Sequence, residues 1–281
     1  MTRALPLAGL CILLFAACKK DGAVPAYVQI NSPSVVDASG HAVSSKITDL
    51  WVYLNDQPVG VWEPGKRIPM IADGNANVKV IAGIRKNGIT DDRIQYPFYA
   101  TWQQQVQFVP EQTVTLTPQV HYYDDLNYWL ADFEIGQRFD TVASTAIMEL
   151  VPSDSTLIGQ GSQNGRITLD PEHSIYRGVS SDEFFNIGSK AFLEMDYRSD
   201  TRLLVGVRFT RAGEQYITPY VYALPTKRAD GSMPWSKIYI DLAEPWNVSG
   251  ALDKHFYIQA ALENGATSGT VEVDNVKLVR P

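Results

Sequence analysis

The residues that could perform acid–base or metal chemistry are few in this chain and lie far apart. The four histidines are His41, His121, His173 and His255. None belongs to an H-E-x-x-H pair, the helical spacing that brings two imidazoles onto one zinc ion. A Ser-His-Asp site needs only that its members meet in space, so the sequence leaves that arrangement open. The pattern predicts a non-enzymatic protein, with hydrolase activity as the open alternative.

The most glycine-rich segment, residues 159–165 (GQGSQNG), matches no phosphate or nucleophile motif. Its third glycine comes one residue late for a dinucleotide fingerprint, and no Lys-Ser or Lys-Thr pair follows it. Gln160 stands where a nucleophile elbow around Ser162 would need glycine. The segment therefore predicts a polar hairpin loop.

The two cysteines, Cys11 and Cys18, belong to the first 18 residues, which have the pattern of an export signal. Arg3 provides a positive start, and the apolar run that follows is about 13 residues long, where a membrane span needs about 20. Residues 15–18 (FAAC) resemble a bacterial lipobox. That resemblance implies a signal peptide at residues 1–17 and acylation of Cys18, with an ordinary secretory leader as the alternative. If Cys18 is acylated, the folded body has no thiol for catalysis, zinc binding or disulfides.

The residues after Cys18 begin with the charged run KKDG. This start resembles that of outer-membrane lipoproteins of Bacteroidota, in which charges at this place accompany display on the cell surface. The resemblance implies a lipidated tether over residues 18–25, a position at the outer membrane and an outer-membrane protein partner. Which face of the membrane carries the protein stays open. Each acyl methylene contributes about 0.8 kcal/mol of membrane binding, so two or three chains anchor a protein durably.

The charge balance argues against nucleic acid as a partner. The 281 residues hold 31 acidic and 24 basic side chains, for a net charge of −7, whereas affinity for nucleic acid depends on clustered basic groups. Hydrophobic residues make up 45% of the chain, which is enough to form a packed core.

Residues 26–118 alternate apolar and polar side chains in short runs that turn signals separate. Residues 78–84 (VKVIAGI) are one such run. About seven strands of this kind predict a small immunoglobulin-like β-sandwich. Residues 52–60 (VYLNDQPVG) resemble the opening of a PEGA-like or transthyretin-like domain, which implies a spacer or docking module. Residues 119–131 break the alternation with four aromatic side chains, and predict a packed connector. An aromatic ledge for a ligand is the alternative there.

Residues 132–281 carry a second and longer alternating pattern, of eight or more strands. This number favours a jelly roll. Its ends, residues 132–134 (DFE) and 273–278 (VDNVKL), resemble the bracketing strands of galactose-binding-like, carbohydrate-binding-module jelly rolls. The fold class predicted for the whole chain is all-β, with two β-sandwich domains in series.

Two kinds of ligand site are predicted in the second domain. The jelly-roll resemblance implies a structural calcium ion on Glu134 and Asp274; no other cofactor is expected. Sugar binding needs exposed aromatic side chains beside polar groups. Tyr216, Tyr220 and Tyr222 have the same parity, so they share a face if their strand is regular. The candidates for a sugar platform are Tyr216, Tyr220, Tyr222, Trp235 and Trp246.

Two functions are compatible with these observations. The lipid anchor, the two serial β-domains and the lack of a catalytic template favour a binding or scaffold subunit of an outer-membrane assembly. The jelly-roll resemblance and the tyrosines indicate, as the alternative, a glycan-binding surface lipoprotein of a polysaccharide-utilisation system.

Overall fold

The computed structural model of the chain describes residues 23–154, 159, 161–184 and 187–281. Strands dominate these residues, and the one helix described is a single turn, so the all-β prediction is confirmed. The predicted signal peptide and Cys18 lie outside the described residues. Within the described part of the chain, no helix has the length and apolar character needed to cross a membrane.

The first eleven strands form an N-terminal unit of three small sheets. One sheet has the order β10-β1-β6 and the second β11-β2-β3, while the third has the order β5-β4-β7-β8 with β9 also on β7. Alternation explains the packing, because Val28, Ile68, Leu50 and Val80 all turn into one apolar core. The strands are β1 (Ala26–Ile30), β2 (Ser34–Val36), β3 (Ala42–Val43), β4 (Asp49–Leu54), β5 (Gln57–Trp62), β6 (Arg67–Met70), β7 (Gly74–Arg85), β8 (Arg93–Gln95), β9 (Trp102–Phe108), β10 (Thr113–Leu116) and β11 (Gln119–His121).

The other eleven strands form a C-terminal unit of two facing sheets. We call β13-β16-β21-β18-β19 the front sheet, and β14-β15-β22-β17-β20, with β12 also on β22, the back sheet. A single apolar core fills the space between them, as expected for a jelly roll. The elements are β12 (Asn127–Ala131), β13 (Phe139–Thr141), β14 (Met148–Pro152), β15 (Gln163–Leu169), β16 (Ile175–Ser180), β17 (Phe192–Ser199), β18 (Leu203–Arg211), β19 (Glu214–Ala223), β20 (Ser236–Asp241), α1 (Ala243–Trp246), β21 (Leu252–Ala261) and β22 (Gly269–Arg280).

The link between the units is shorter than the connector predicted at residues 119–131. Strand β11 pairs in parallel with β2 and belongs to the N-terminal unit. Strand β12 pairs with the end of β22 and belongs to the C-terminal unit. Tyr122 forms a bridge with Tyr99, and the N–H of Tyr123 donates to the carbonyl of Phe98, so both tyrosines belong to the N-terminal unit. Tyr128 and Trp129 lie in β12. The connector aromatics therefore divide between the units, and residues 124–126 are the link.

The outer face of the back sheet packs against the N-terminal unit through a buried polar cluster. Leu193 and Met195 of β17 point into the jelly-roll core, so Glu194 and Asp196 point the other way. The Tyr96 hydroxyl donates to Glu194 Oε1 at 2.6 Å, and the Ser44 hydroxyl donates to Asp196 Oδ2 at 2.6 Å. Because the N-terminal unit covers this part of the back sheet, the front sheet is the one whose broad outer face is open.

Candidate binding groove

The outer face of the front sheet forms an open groove. On β18 the odd-numbered residues from Leu203 to Phe209 enter the core, which turns Leu204 and Arg208 outward. On β21, Phe256 and Ile258 enter the core, and their neighbours face the groove. The cavity has a volume of about 560 Å³. It is lined by Val142, Ala143, Arg177, Leu204, Arg208, Gln215, Ile217, Pro219, Tyr222, Tyr257 and Gln259.

An apolar floor and one exposed aromatic ring give the groove its non-polar surface. Val179, Leu204 and Tyr257 form a small buried cluster, against which Val142 packs. Tyr222 lies opposite Leu204 in the pairing of β18 with β19, and 56% of it is exposed. The Tyr222 ring is thus available to a ligand, and the floor beside it is apolar.

A fixed polar set lies beside this apolar surface. Gln259 Oε1 accepts hydrogen bonds from the Tyr257 hydroxyl at 2.6 Å and from Arg177 Nε at 3.1 Å. Arg177 Nη1 donates to the carbonyl of Ala143 at 2.7 Å. Burial raises the pKa of Tyr257, so its hydroxyl remains a donor at neutral pH. These contacts hold a guanidinium and a carboxamide in one orientation, which reduces the entropy that a ligand must overcome on binding.

Arg208 provides a second cationic group at the groove. Its Nη2 lies 3.5 Å from Asp253 Oδ2, and Thr210 Oγ1 donates to the same oxygen at 3.1 Å. The hydrogen bond from His255, with those from Thr210 and the charge of Arg208, lowers the pKa of Asp253. Among the described residues, Arg208 Nε has no hydrogen-bond partner. This nitrogen is itself buried, so the part of Arg208 that a ligand could meet is its charge at the edge of the groove.

A histidine does meet a serine and an aspartate in this unit, but the geometry is not that of a nucleophile. His255 Nδ1 lies 2.6 Å from the carbonyl of Ser180, and Nε2 lies 3.0 Å from Asp253 Oδ1. Since Nδ1 must carry a proton to bind a carbonyl, it cannot accept one from the Ser180 hydroxyl, 3.4 Å away. That hydroxyl is buried and donates to the carbonyl of Asp182. The contact is structural.

The shared face expected for Tyr216, Tyr220 and Tyr222 is wrong. The pairing of β18 with β19 shifts, so that Val205 opposes Val221 but Gly206 opposes Pro219. Tyr220 is therefore the extra residue of a β-bulge, and the parity of the strand reverses there. Only Tyr222 of the three lines the groove. The bulge needs glycine at 206, because a Cβ there would lie 2.3 Å from the carbonyl oxygen of Thr218.

The other two tyrosines have partners of their own. Tyr216 stacks on Phe209 with ring centroids 5.6 Å apart, and its hydroxyl donates to Glu214. Tyr220 packs against the jelly-roll core, and its hydroxyl accepts a hydrogen bond from Asn87 of the N-terminal unit at 3.2 Å. Burial raises the pKa of Tyr220.

The two tryptophans proposed as ligand contacts, Trp235 and Trp246, lie outside the groove. Trp246 is only 1% exposed and packs against Phe184 inside the core. The ligand role predicted for Trp246 is therefore wrong, because α1 turns its side chain inward. Trp235 is half-buried and lines a different cavity, between the two units.

The donor set around Glu134 does not favour the predicted calcium site. Glu134 Oε1 accepts hydrogen bonds from the backbone N–H groups of Ser162 and Gln163 at 2.8 and 3.0 Å, and Oε2 accepts one from the Ser162 hydroxyl. The Ser162 hydroxyl and these N–H groups lower the pKa of Glu134. Donors surround this carboxylate where a cation would need further oxygens. Asp274 is fully buried and accepts from the N–H of Asn275. Calcium on Glu134 and Asp274 stays a prediction that this geometry does not support.

The groove residues Arg177, Arg208, Tyr257 and Gln259 were not among the residues proposed from the sequence. One signal was present, since Tyr257 and Gln259 have the parity opposite to the apolar Phe256 and Ile258. Which strands would lie beside β21 was not visible in the sequence.

Comparisons with known proteins give matches among solved structures alone. No family model and no curated protein matches the chain. The xylan-binding CBM22-2 domain of Paenibacillus barcinonensis Xyn10C is 13% identical, with a TM-score of 0.39 over 54% of this chain and 99% of that one. A CBM28 module specific for non-crystalline cellulose is 17% identical, with a TM-score of 0.38 over 52% of this chain and 90% of that one. A structure of carbohydrate-binding modules from the β-sandwich superfamily is 13% identical, with a TM-score of 0.40 over 89% of this chain and 97% of that one. These three structures are of carbohydrate-binding modules.

Proposed function

We propose that this protein binds glycans without transforming them, and that the groove of the front sheet is its sugar site. The observation that carries the proposal is that the exposed ring of Tyr222 lines the same groove as the fixed side chains of Arg177 and Gln259. A sugar has an apolar C–H face that packs on an aromatic ring, and hydroxyls at its edge that pair with planar polar groups. The groove offers both kinds of contact within one open cavity.

This proposal reverses the order of the two functions considered from the sequence. The scaffold hypothesis depends on the lipid anchor at Cys18, which lies outside the described residues. The glycan hypothesis has a site of its own, with an apolar floor, an exposed aromatic ring and the hydrogen-bonded side chains of Arg177 and Gln259.

The anchor belongs to the same proposal. Acylation of Cys18 would hold the groove at the outer membrane, where a binding protein meets polysaccharide before transport. Intact-mass measurement of the membrane-extracted protein tests this, and Cys18→Ala should release the chain into the soluble fraction. Recovery of unacylated wild-type chain from the soluble fraction would contradict the anchor, though not the sugar site.

The sugar site is tested with two tyrosines of the same strand. A glycan array identifies a ligand, and titration calorimetry then compares Tyr222→Ala with Tyr216→Ala as the matched control. Both side chains are exposed to a similar degree, but only Tyr222 lines the groove. We expect Tyr222→Ala to weaken binding about tenfold or more, as truncation of an aromatic anchor does, and Tyr216→Ala to retain it. Equal affinities for the two variants would place the site elsewhere, and an array with no bound glycan would contradict the proposed function.

A further inference from the structure

A second and larger cavity lies in a crevice between the two units. Its volume is about 910 Å³, within the roughly 300–1,000 Å³ typical of ligand sites. Residues 32–35 and 42–46 of the N-terminal unit form one side, and residues 232–237 of the C-terminal unit form the other. We call this cavity the interunit crevice. It shares no lining residue with the groove of the front sheet.

Buried ions of opposite sign form the floor of the interunit crevice. Lys237 Nζ lies 3.5 Å from Asp196 Oδ1 and 3.4 Å from Glu194 Oε2, and it donates to Ser44 Oγ at 3.2 Å. All four side chains are buried. Lys277 Nζ lies 3.7 Å from the same Glu194 oxygen. Two ammonium groups therefore offset two carboxylates, and a ligand would not need to neutralise this floor.

One wall of the crevice is a tryptophan held in place by its neighbours. The guanidinium carbon of Arg198 lies 4.9 Å from the ring centroid of Trp235, and Trp235 Nε1 donates to Asp154 Oδ1 at 3.4 Å. Arg198 also pairs with Glu272 at 2.8 Å and with Asp154. The indole of Trp235 is thus a fixed, half-buried surface on the wall of the cavity.

The rim of the crevice is cationic. Four of its lining side chains are basic and two are carboxylates, and Lys237 and Arg198 already have acidic partners. The remaining two cations are Lys46 and Arg228. Lys46 Nζ donates to the hydroxyl of Ser236 at 2.9 Å. The charge of Arg228 helps lower the pKa of Asp230, but within the described part of the chain neither cation has a carboxylate oxygen within the 4.0 Å of an ion pair. These two charges stand out on a protein whose net charge is −7.

We propose that the interunit crevice binds an anionic saccharide, one whose carboxylate or sulfate pairs with Lys46 and Arg228 while its ring packs on Trp235. Serine hydroxyls of the N-terminal side, Ser32, Ser34 and Ser45, line the same cavity and match the hydroxyls of a sugar. Both units contribute to the site, so the N-terminal unit takes part in recognition. This proposal does not depend on whether the front-sheet groove binds a neutral or a charged ligand.

Titration calorimetry on the whole protein tests this site with three trisaccharides, namely trigalacturonate, a sulfated galactose trisaccharide and the neutral galactotriose. We expect one or both anionic probes to bind, the neutral one to bind at least tenfold more weakly, and the affinity to fall as NaCl rises from about 50 to about 500 mM. Binding of trigalacturonate alone identifies a carboxylate as the recognised charge, and binding of the sulfated probe alone identifies a sulfate. Failure of both anionic probes to bind would overturn the proposal.

Variants locate the binding in the crevice. Arg228→Glu should weaken the anionic probe tenfold or more, while Arg211→Glu, the same change at an exposed arginine outside the crevice, should leave the affinity unchanged. Trp235→Ala should also weaken binding. If Trp235→Ala folds poorly, Arg228→Glu still tests the site. Tyr222→Ala should have no effect on this ligand. Equal loss in the two arginine variants, or loss in Tyr222→Ala alone, would overturn the crevice site; loss in Tyr222→Ala alone would at the same time support the groove.

Discussion

Replacing Glu194 by glutamine should destabilise the protein more than the same replacement at any other glutamate. Glu194 is 0% exposed and lies where the back sheet meets the N-terminal unit. Its carboxylate accepts hydrogen bonds from Tyr96 at 2.6 Å and from Tyr122 at 2.8 Å. Lys237 Nζ and Lys277 Nζ lie 3.4 and 3.7 Å from Oε2. One carboxylate therefore has two tyrosine donors and two ammonium groups as partners.

The size of the effect follows from what the glutamine would leave behind. Lys237 keeps Asp196 as an acidic partner. Lys277 keeps the hydroxyl of Tyr122, to which it donates at 2.7 Å, but loses the one carboxylate paired with it among the described residues. Removing one partner of a buried pair costs about 3–5 kcal/mol, because the other charge stays buried without compensation. At about 2–4 °C per kcal/mol for a chain of this size, Tm should fall by about 6–20 °C.

Urea and thermal denaturation, followed by tryptophan fluorescence and circular dichroism, measure the change in unfolding free energy. The matched control is Glu149→Gln, since Glu149 is exposed on β14 and its change should stay within about 0.5 kcal/mol. A Glu194→Gln variant within about 1 kcal/mol of the wild type would refute the reasoning. It would mean that the interface does not depend on this charge.

Two further predictions follow from the same interface and from the bulge. Burial raises the pKa of Glu194, but the charges of Lys277 and Lys237 and the tyrosine hydrogen bonds outweigh burial, so the pKa lies below the usual value of 4.5. A carboxyl group whose pKa is lowered by folding stabilises the protein at pH values above its unfolded-state pKa, and this stability is lost as the pH falls through the folded-state pKa. The difference in unfolding free energy between wild type and Glu194→Gln should therefore be full at pH 7 and shrink below about pH 4. A difference that stays constant with pH would contradict this. Gly206→Ala should lower the unfolding free energy by about 1–3 kcal/mol, because the new methyl group would overpack against the carbonyl of Thr218, and it should weaken groove binding by turning Tyr222. The control Gly136→Ala, with nothing near its Cβ, should change neither stability nor binding. Equal melting curves for the two glycine variants would show that the bulge tolerates a side chain.

Alternation predicted the longer strands, because side chains on a strand point to its two faces in turn. It predicted about seven strands over residues 26–118, where the structure has ten, several of them only two or three residues long. Residues 78–84 lie in β7, with Val78, Val80, Ala82 and Ile84 buried as their parity requires. The limits of the units were harder to predict. Residues 119–121 join the N-terminal unit through backbone hydrogen bonds. Such pairing does not depend on the type of side chain, so the sequence does not show it.

The candidate site shows the same division between local and non-local information. Tyr222 was proposed from the sequence and does line the groove. Its two companions were wrong because a bulge changes parity at Tyr220, and the reason for the bulge is the contact of Gly206 with a neighbouring strand. Arg177 and Gln259 were missed because the chain places them 82 residues apart. Only the order of the strands in the front sheet brings them together.

The buried polar cluster also changes the interpretation of the N-terminal unit. The sequence indicated a spacer or docking module, with a packed connector between it and the second domain. Glu194, Asp196 and Lys237 of the back sheet are buried against it, and buried charges are costly unless they are paired and hydrogen-bonded. Ser44 and the tyrosines of the N-terminal unit are those partners, so either unit alone would expose or orphan them. The N-terminal unit therefore packs against the C-terminal unit of the same chain. This packing covers part of the back sheet and forms the interunit crevice.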